Sequence, residues 1–324
     1  MQFQAKAWVT KLALPFAQTI INDSLRHIYE DHDWNFQKEE SVWLTPGILG
    51  GTGTVAPGTV TLTIGSADVI GDATAAAAWV ATTAAKLKQY QFRQSALALY
   101  NIIAFDGVNK ITLDRPWMEP SSGAGNVYMI YQAYFPAPVA DFKRWWVVRD
   151  FRNAGDLWTN KTQAWLASID PQRTTFGLPS QVIPYKTDTR PGSATLGYMM
   201  YELWPHNLSI MPYSLYYSRM GPALSLPTDS APFPITEDMI LYRARVVAYE
   251  WKLANAGEDT KRGSLAQWQF LMQQAQAQYA ELKRQQIKKD RDRGDPFISQ
   301  IRREVKRSPA VGLGGYLNVG SFDR

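Results

Sequence analysis

The chain has 324 residues, enough for one large domain or two moderate ones, and it contains no cysteine, which excludes a disulfide framework, a thiolate metal site and a cysteine nucleophile. Its net charge of +5 is mild, but between Glu281 and Arg307 ten Lys or Arg face five acids, so the whole basic excess lies near the C-terminus and the remainder is neutral. Twelve Trp and sixteen Tyr are many for this length and suit wide interfaces or carbohydrate surfaces as well as cores.

Met1 leads into a mixed segment with Lys6 and Lys11, and no apolar run approaches ~20 residues; the expectation is a soluble protein made in a reducing cytosol, without membrane contact. Pro15 separates a helical segment at 3–14 from a second at 16–29, where Ala17, Ile20, Ile21, Leu25 and Ile28 share one face. Residues 34–44 are strand-like at both ends, and the Gly-rich stretch 45–58 is a long loop.

From Thr59 to Phe135 short strand-like runs edged by Gly, Asp and Asn predict an antiparallel sandwich or barrel-like module. The alanine-rich stretch 73–88 within it fits a short helix or a loop crossing the sheet. Residues 139–150 lead out of the module, 161–169 form a short helix ended by Asp170-Pro171, and 176–191 read as irregular.

The aromatic runs 198–204 and 213–220, joined by Pro205, Asn207 and Pro212, predict a β-hairpin. Thr236 then caps a helix whose Ile240, Ala244, Val247, Trp251 and Ala254 form one stripe. After a polar linker, Ser264 and Gln267 have capping-box spacing. Leu265, Trp268, Met272, Ala275, Tyr279 and Leu282 make a heptad-like seam that needs another helix. Beyond Arg293 the pattern breaks at Gly294 and Pro296, and the last thirty-odd residues read as an extended arm.

The search for chemistry returns little. His27 and His32 crowd a helix end with Glu30, Asp31 and Asp33, but five positions put them about 140° apart, so a solvated helix end is favoured over a metal site. His206, in a turn, reads as structural or surface. The loop GILGGTGT lacks a following Lys for phosphates, no GxSxG elbow is present, and Asp141, Asp150, Asp156 and Asp170 are scattered. The expectation is a non-enzyme with no cofactor, no catalytic residue and no metal. The basic run 283–293 is either a solvated helix end or a segment for an acidic protein groove; the interleaved Asp290, Asp292 and Asp295 disfavour nucleic acid.

Taken together, IINDSLRHIYEDHDWNF, YNIIAFDGVNKITLDRPW, VYMIYQAYFPAPVADFKRWWVVRD, DPQRTTFGLP and YELWP with the following helix resemble the head-to-tail adaptor (connector or neck) proteins of tailed bacteriophages. The Gly-rich loop and the alanine-rich stretch depart from that pattern.

The resemblance implies an α+β fold: a helical bundle with an inserted antiparallel β-sandwich or barrel-like module and an extended C-terminal arm. The expected division is 1–45 for the first helices and strand, 46–138 for the β insert, 139–293 for the rest of the bundle and 294–324 for the arm. It further implies a virion protein of the neck, made in the host bacterial cytoplasm and assembled as a ring of twelve copies beneath the portal protein. Such a ring extends the DNA channel without sequence-specific contact, helps retain the genome and docks a tail, nozzle or tail-completion protein. In this family the C-terminal segment reaches into the portal. Here that role falls to Phe297, Ile301, Val305, Tyr316 and Leu317 as anchors, with Arg302, Arg303, Lys306 and Arg307 steering. The rival readings are a carbohydrate-binding virion module and a tail-tube or tail-completion ring protein.

Overall fold

The computed structural model describes residues 14–49, 55–82, 84–94, 98–120, 122–152, 155–190, 193–225, 229–254 and 262–294. They combine helices with antiparallel strands in a mixed α+β fold. Two compact units emerge: the described residues up to Lys38 and from Pro222 form one, and Glu39–Gly221 the other. Residues 139–221, which the sequence grouped with the bundle, thus cluster with the β strands.

The helical unit comprises α1 (Leu14–Asp31), α5 (Glu237–Ala254) and α6 (Arg262–Asp292), with α1 packed on α5 and α5 on α6. On α1 the expected face is buried at Ile20, Ile21, Leu25 and Ile28. Trp34 closes the helix, donating its indole N–H to the Ile28 carbonyl at 3.0 Å. The Asn22 amide clips the returning chain through the carbonyl and N–H of Leu224.

On α5, Ile240 and Ala244 are buried as expected, but Trp251 is 42% exposed and Val247 only half-buried. Burial falls instead on Met239, Leu241, Val246 and Ala248. A helix with a neighbour on two sides needs a wider apolar surface than one stripe. The heptad seam of α6 does pack on another helix, but the helix begins at Arg262, ahead of the expected Ser264 cap. Asn35 fixes its far end: its side-chain amide donates to the carbonyls of Asp290 (2.7 Å) and Gly294 (3.1 Å), and its backbone N–H to the Asp290 carboxylate.

The β unit holds three sheets. The largest uses β2 (Val60–Leu62), β3 (Asp68–Gly71), β4 (Gln91–Arg93), β5 (Tyr100–Phe105), β6 (Lys110–Leu113), β7 (Gly123–Asn126) and β8 (Met129–Tyr131) in the order β7-β2-β3-β6-β5-β4-β8, every pairing antiparallel. Strands β7 and β8 are consecutive in sequence yet occupy opposite edges. The sheet must therefore curl until its two edges approach, around a core that includes Val69, Trp79, Phe92, Ile102, Trp117 and Tyr128. The alanine-rich stretch becomes α2 (Ala73–Val80), capped by the Asp72 carboxylate at the N–H groups of Thr74 and Ala75, and the one-turn α3 (Ala84–Leu87).

The second sheet has four strands in the order β1-β14-β10-β11: β1 (Lys38–Pro46), β14 (Ile210–Arg219), β10 (Phe142–Asp150) and β11 (Asp156–Leu157). The third is antiparallel, β12 (Gln181–Thr187), β13 (Met199–Trp204) and β9 (Tyr134–Pro136) in the order β12-β13-β9. One apolar cluster draws on both, including Trp43, Phe135, Val148, Val182, Leu203 and Leu215, so the two sheets pack face to face.

Two expectations are corrected here. The strands β13 and β14 do not form a hairpin: β13 pairs with β12 and β9, and β14 with β10 and β1. The connection explains this, because His206 donates its backbone N–H to the Thr175 carbonyl and accepts from Gly177 instead of letting the chain fold straight back. Second, the supposedly irregular stretch 176–191 contains β12 despite Pro184. At a sheet edge the missing proline N–H costs no ladder bond.

Candidate functional site

The densest polar chemistry lies inside the β unit, where α4 (Gln163–Ile169), the loop after it, β13 and β4 converge. Thr162 caps α4, and Asp170 ends it. The Asp170 carboxylate then accepts from the N–H groups of Thr174 (2.8 Å) and Thr175 (3.0 Å) and from the Trp204 indole (3.1 Å). Burial alone would raise its pKa, but these donors hold it well below the ordinary carboxylate range.

Fastening that turn requires Arg173 to adopt a left-handed φ of 57°. Its guanidinium is thereby aimed at Glu202 (2.8 Å), the Gln163 amide oxygen (2.8 Å) and the Asp170 carbonyl (2.6 Å).

Glu202, in β13, is the centre of the cluster and has no exposed surface. It also accepts from the Gln163 amide at 2.9 Å and pairs with His206 Nε2 at 3.1 Å. An ionised carboxylate only accepts, so the proton on that contact belongs to Nε2. Burial disfavours the Glu202 charge, yet the His206 hydrogen bond and charge, with Arg173 and Gln163, bring its pKa below the usual value.

On its other side, His206 Nδ1 shares a 2.9 Å hydrogen bond with the Tyr131 hydroxyl, whose pKa burial pushes up to about 12. Arg93 completes the cluster. Fully buried on β4, it donates to the carbonyls of Gln172 (2.7 Å) and Arg173 and lies 5.5 Å from the Phe176 ring centre.

A carboxylate, an imidazole and a phenol in a row have the composition of a proton relay. Here Glu202 and His206 are 0% and 1% exposed, so no substrate atom reaches them without opening the core. What the arrangement does is tie α4, its loop and β13 to the large sheet through charge-assisted bonds.

The other histidines lie elsewhere. His27 is exposed near Glu30, while His32 is 3.4 Å from the Asp290 carboxylate and stands edge-on to Trp34. Asp31 takes hydrogen bonds from Lys283 (2.9 Å) and Tyr279 (3.1 Å). Among the described residues no three His, Cys, Asp or Glu side chains are grouped to hold a metal ion. No helix among them is long and apolar enough to cross a membrane.

The surface is the contrasting feature. Val42 and Leu44 project from β1, while Trp146, Phe151 and Trp158 are exposed in and beyond β10 and β11, with Trp158 62% exposed. Single exposed apolar residues are ordinary, but exposed aromatics are the currency of protein interfaces.

The arm residues Phe297, Ile301, Arg302, Arg303, Val305, Lys306, Arg307, Tyr316 and Leu317 all lie outside the described residues. Sequence reasoning missed the cluster around Glu202, whose members are spread from Arg93 to His206. The available signal was that DPQRTTFGLP and YELWP each concentrate polar groups beside aromatics. No protein-family model matches this chain, and a search of curated proteins finds no match.

Proposed function

We propose that the chain is a structural virion protein, a head-to-tail adaptor that forms a ring under the portal of a tailed bacteriophage, extends the DNA channel, helps retain the genome and docks the tail. The observation that carries the reading is the order of the units. Among the described residues, the chain leaves a helical unit at Lys38, builds a mainly antiparallel β unit with short helices, and returns at Pro222 to finish the helical unit. A bundle with an inserted β module is the architecture the sequence resemblance implies.

Two further features support it. The relay-like cluster around Glu202 is sealed and structural, and the apolar side chains left at the surface of the β unit are suited to contacts between copies or with neighbouring proteins. The chemistry of such a subunit is its interfaces, and no catalytic step is assigned to it.

In this reading the arm, residues 294–324, engages the portal. A segment that orders on binding costs several kcal/mol per copy, and repeating the contact around a closed ring offsets that cost. The test is co-sedimentation of the purified chain with portal rings, using the full protein and one ending at Arg293. Loss of binding by the truncated chain, with an unchanged circular-dichroism melt, is expected; equal binding by both sinks the assignment of the arm.

A further inference from the structure

Among the strands that end the two packed sheets, β1 is both long and unblunted. It runs nine residues with one neighbour, β14, whereas β11 has two residues, β9 has three, and β12 is interrupted by Pro184. A strand paired on one side presents a row of backbone N–H and C=O groups on the other, which is a template for a further strand.

The side chains of β1 say what that further strand must carry. Trp43, Met211 and Tyr213 belong to the core cluster between the sheets, so Val42, Leu44 and Ile210 stand on the opposite face, 55%, 62% and 55% exposed. Glu40 lies on this same face of β1 and is exposed. Glu39 is held by Tyr217 and Arg219, both at 3.0 Å, but Glu40 has no ion pair among the described residues. Along the strand the face therefore reads Glu40, Val42, Leu44, Pro46: an anion followed by three apolar side chains.

We propose that this edge receives residues 307–313 of a second copy of the chain as an added parallel strand. The sequence there is RSPAVGL, with Arg307, Pro309, Val311 and Leu313 at alternate positions. Laid parallel on β1, it sets Arg307 opposite Glu40, Pro309 opposite Val42, Val311 opposite Leu44 and Leu313 opposite Pro46. Charge then meets opposite charge, and apolar meets apolar.

The reverse direction does not match. Run antiparallel, each of Arg302, Arg303, Lys306 and Arg307 placed on Glu40 puts a polar or charged residue on Val42 or Leu44. Pro309 lacks an N–H, which an outermost strand tolerates. The choice of donor rests on the adaptor reading, in which the second copy is the neighbour in the ring; Phe297, Ile301, Val305, Tyr316 and Leu317 stay available to the portal.

The test titrates a fluorescein-labelled peptide of residues 305–319 with the full chain carrying Val311→Asp and Leu313→Asp, which removes competition from its own arm. No portal is present and no ring is needed, so failure of the edge and failure of the adaptor reading give different results. Saturable fluorescence anisotropy is expected. Leu44→Asp in the chain should weaken binding at least about tenfold, because its carboxylate would be covered by apolar side chains. Glu40→Arg should weaken it too, and a peptide with Arg307→Glu should bind that variant more tightly than the unaltered peptide does. Both positions are exposed, so these changes spare the core. The proposal is overturned if the unaltered peptide does not bind saturably, if binding ignores Leu44→Asp, or if the charge swap brings no recovery.

Discussion

Truncating Glu202 to alanine removes the acceptor for three side chains at once, Arg173, Gln163 and His206. The carboxylate is fully buried and the Arg173 side chain only 14% exposed, so water cannot replace what is lost. Breaking one partner out of a buried charged pair costs about 3–5 kcal/mol. For a unit of this size, ~2–4 °C of melting temperature accompany each kcal/mol, so the melt of the β unit should fall by roughly 6–20 °C.

Differential scanning calorimetry of the full chain reads this directly. The double variant Glu202→Leu with Arg173→Met separates a true charge pair from simple loss of packing. It should regain about 1–3 kcal/mol over the sum of the two single changes, because neither charge is then stranded. A loss below about 1 kcal/mol for Glu202→Ala, or strict additivity in the cycle, would refute the view that this cluster holds the unit together.

Three further outcomes follow from the geometry. The carboxyls of Asp170, Asp188 and Glu202 are all depressed in the folded chain, so their contribution is complete above the unfolded carboxyl range. It is lost as pH falls below about 4 toward the folded values. Urea midpoints should thus drop steeply from pH 5 to pH 2, and Asp188→Asn should flatten that dependence; a pH-independent midpoint would contradict it. Gly58 has φ +77°, and an added Cβ would press on the Asp72 carboxylate and lie 2.5 Å from the Ala75 nitrogen. Gly58→Ala should therefore disturb the α2 cap and cost about 1–3 kcal/mol in a denaturant melt. Asn35→Ala should leave the fold intact but raise amide exchange across the last turn of α6, with a loss of about 1–2 kcal/mol, since two carbonyls lose their donor.

Much of the helical unit was legible because its signal is local. The spacing of Ile20, Ile21, Leu25 and Ile28 defines a face whatever packs against it, and Asp170-Pro171 stops α4 by sterics alone. Single-stripe reasoning failed on α5, where a second neighbour buries Val246 and Ala248 and leaves Trp251 in solvent.

Strand content was also legible, but strand partners were not. The aromatic composition of β13 and β14 says that each is buried, and nothing in it says that their ladders run to β9 and β12, or to β1 and β10. The polar cluster was hidden for the same reason. Arg93, Tyr131, Asp170, Arg173, Glu202 and His206 each look unremarkable in sequence, and only the convergence of β4, β8, α4 and β13 makes them one network.

The central claim is that this chain works by assembling. Mass photometry with negative-stain imaging, on the purified chain alone and mixed with its portal, tests it most directly. The account predicts closed rings of about twelve copies on the portal, matching the closed symmetry expected of such assemblies. A chain that stays monomeric and indifferent to the portal would contradict it.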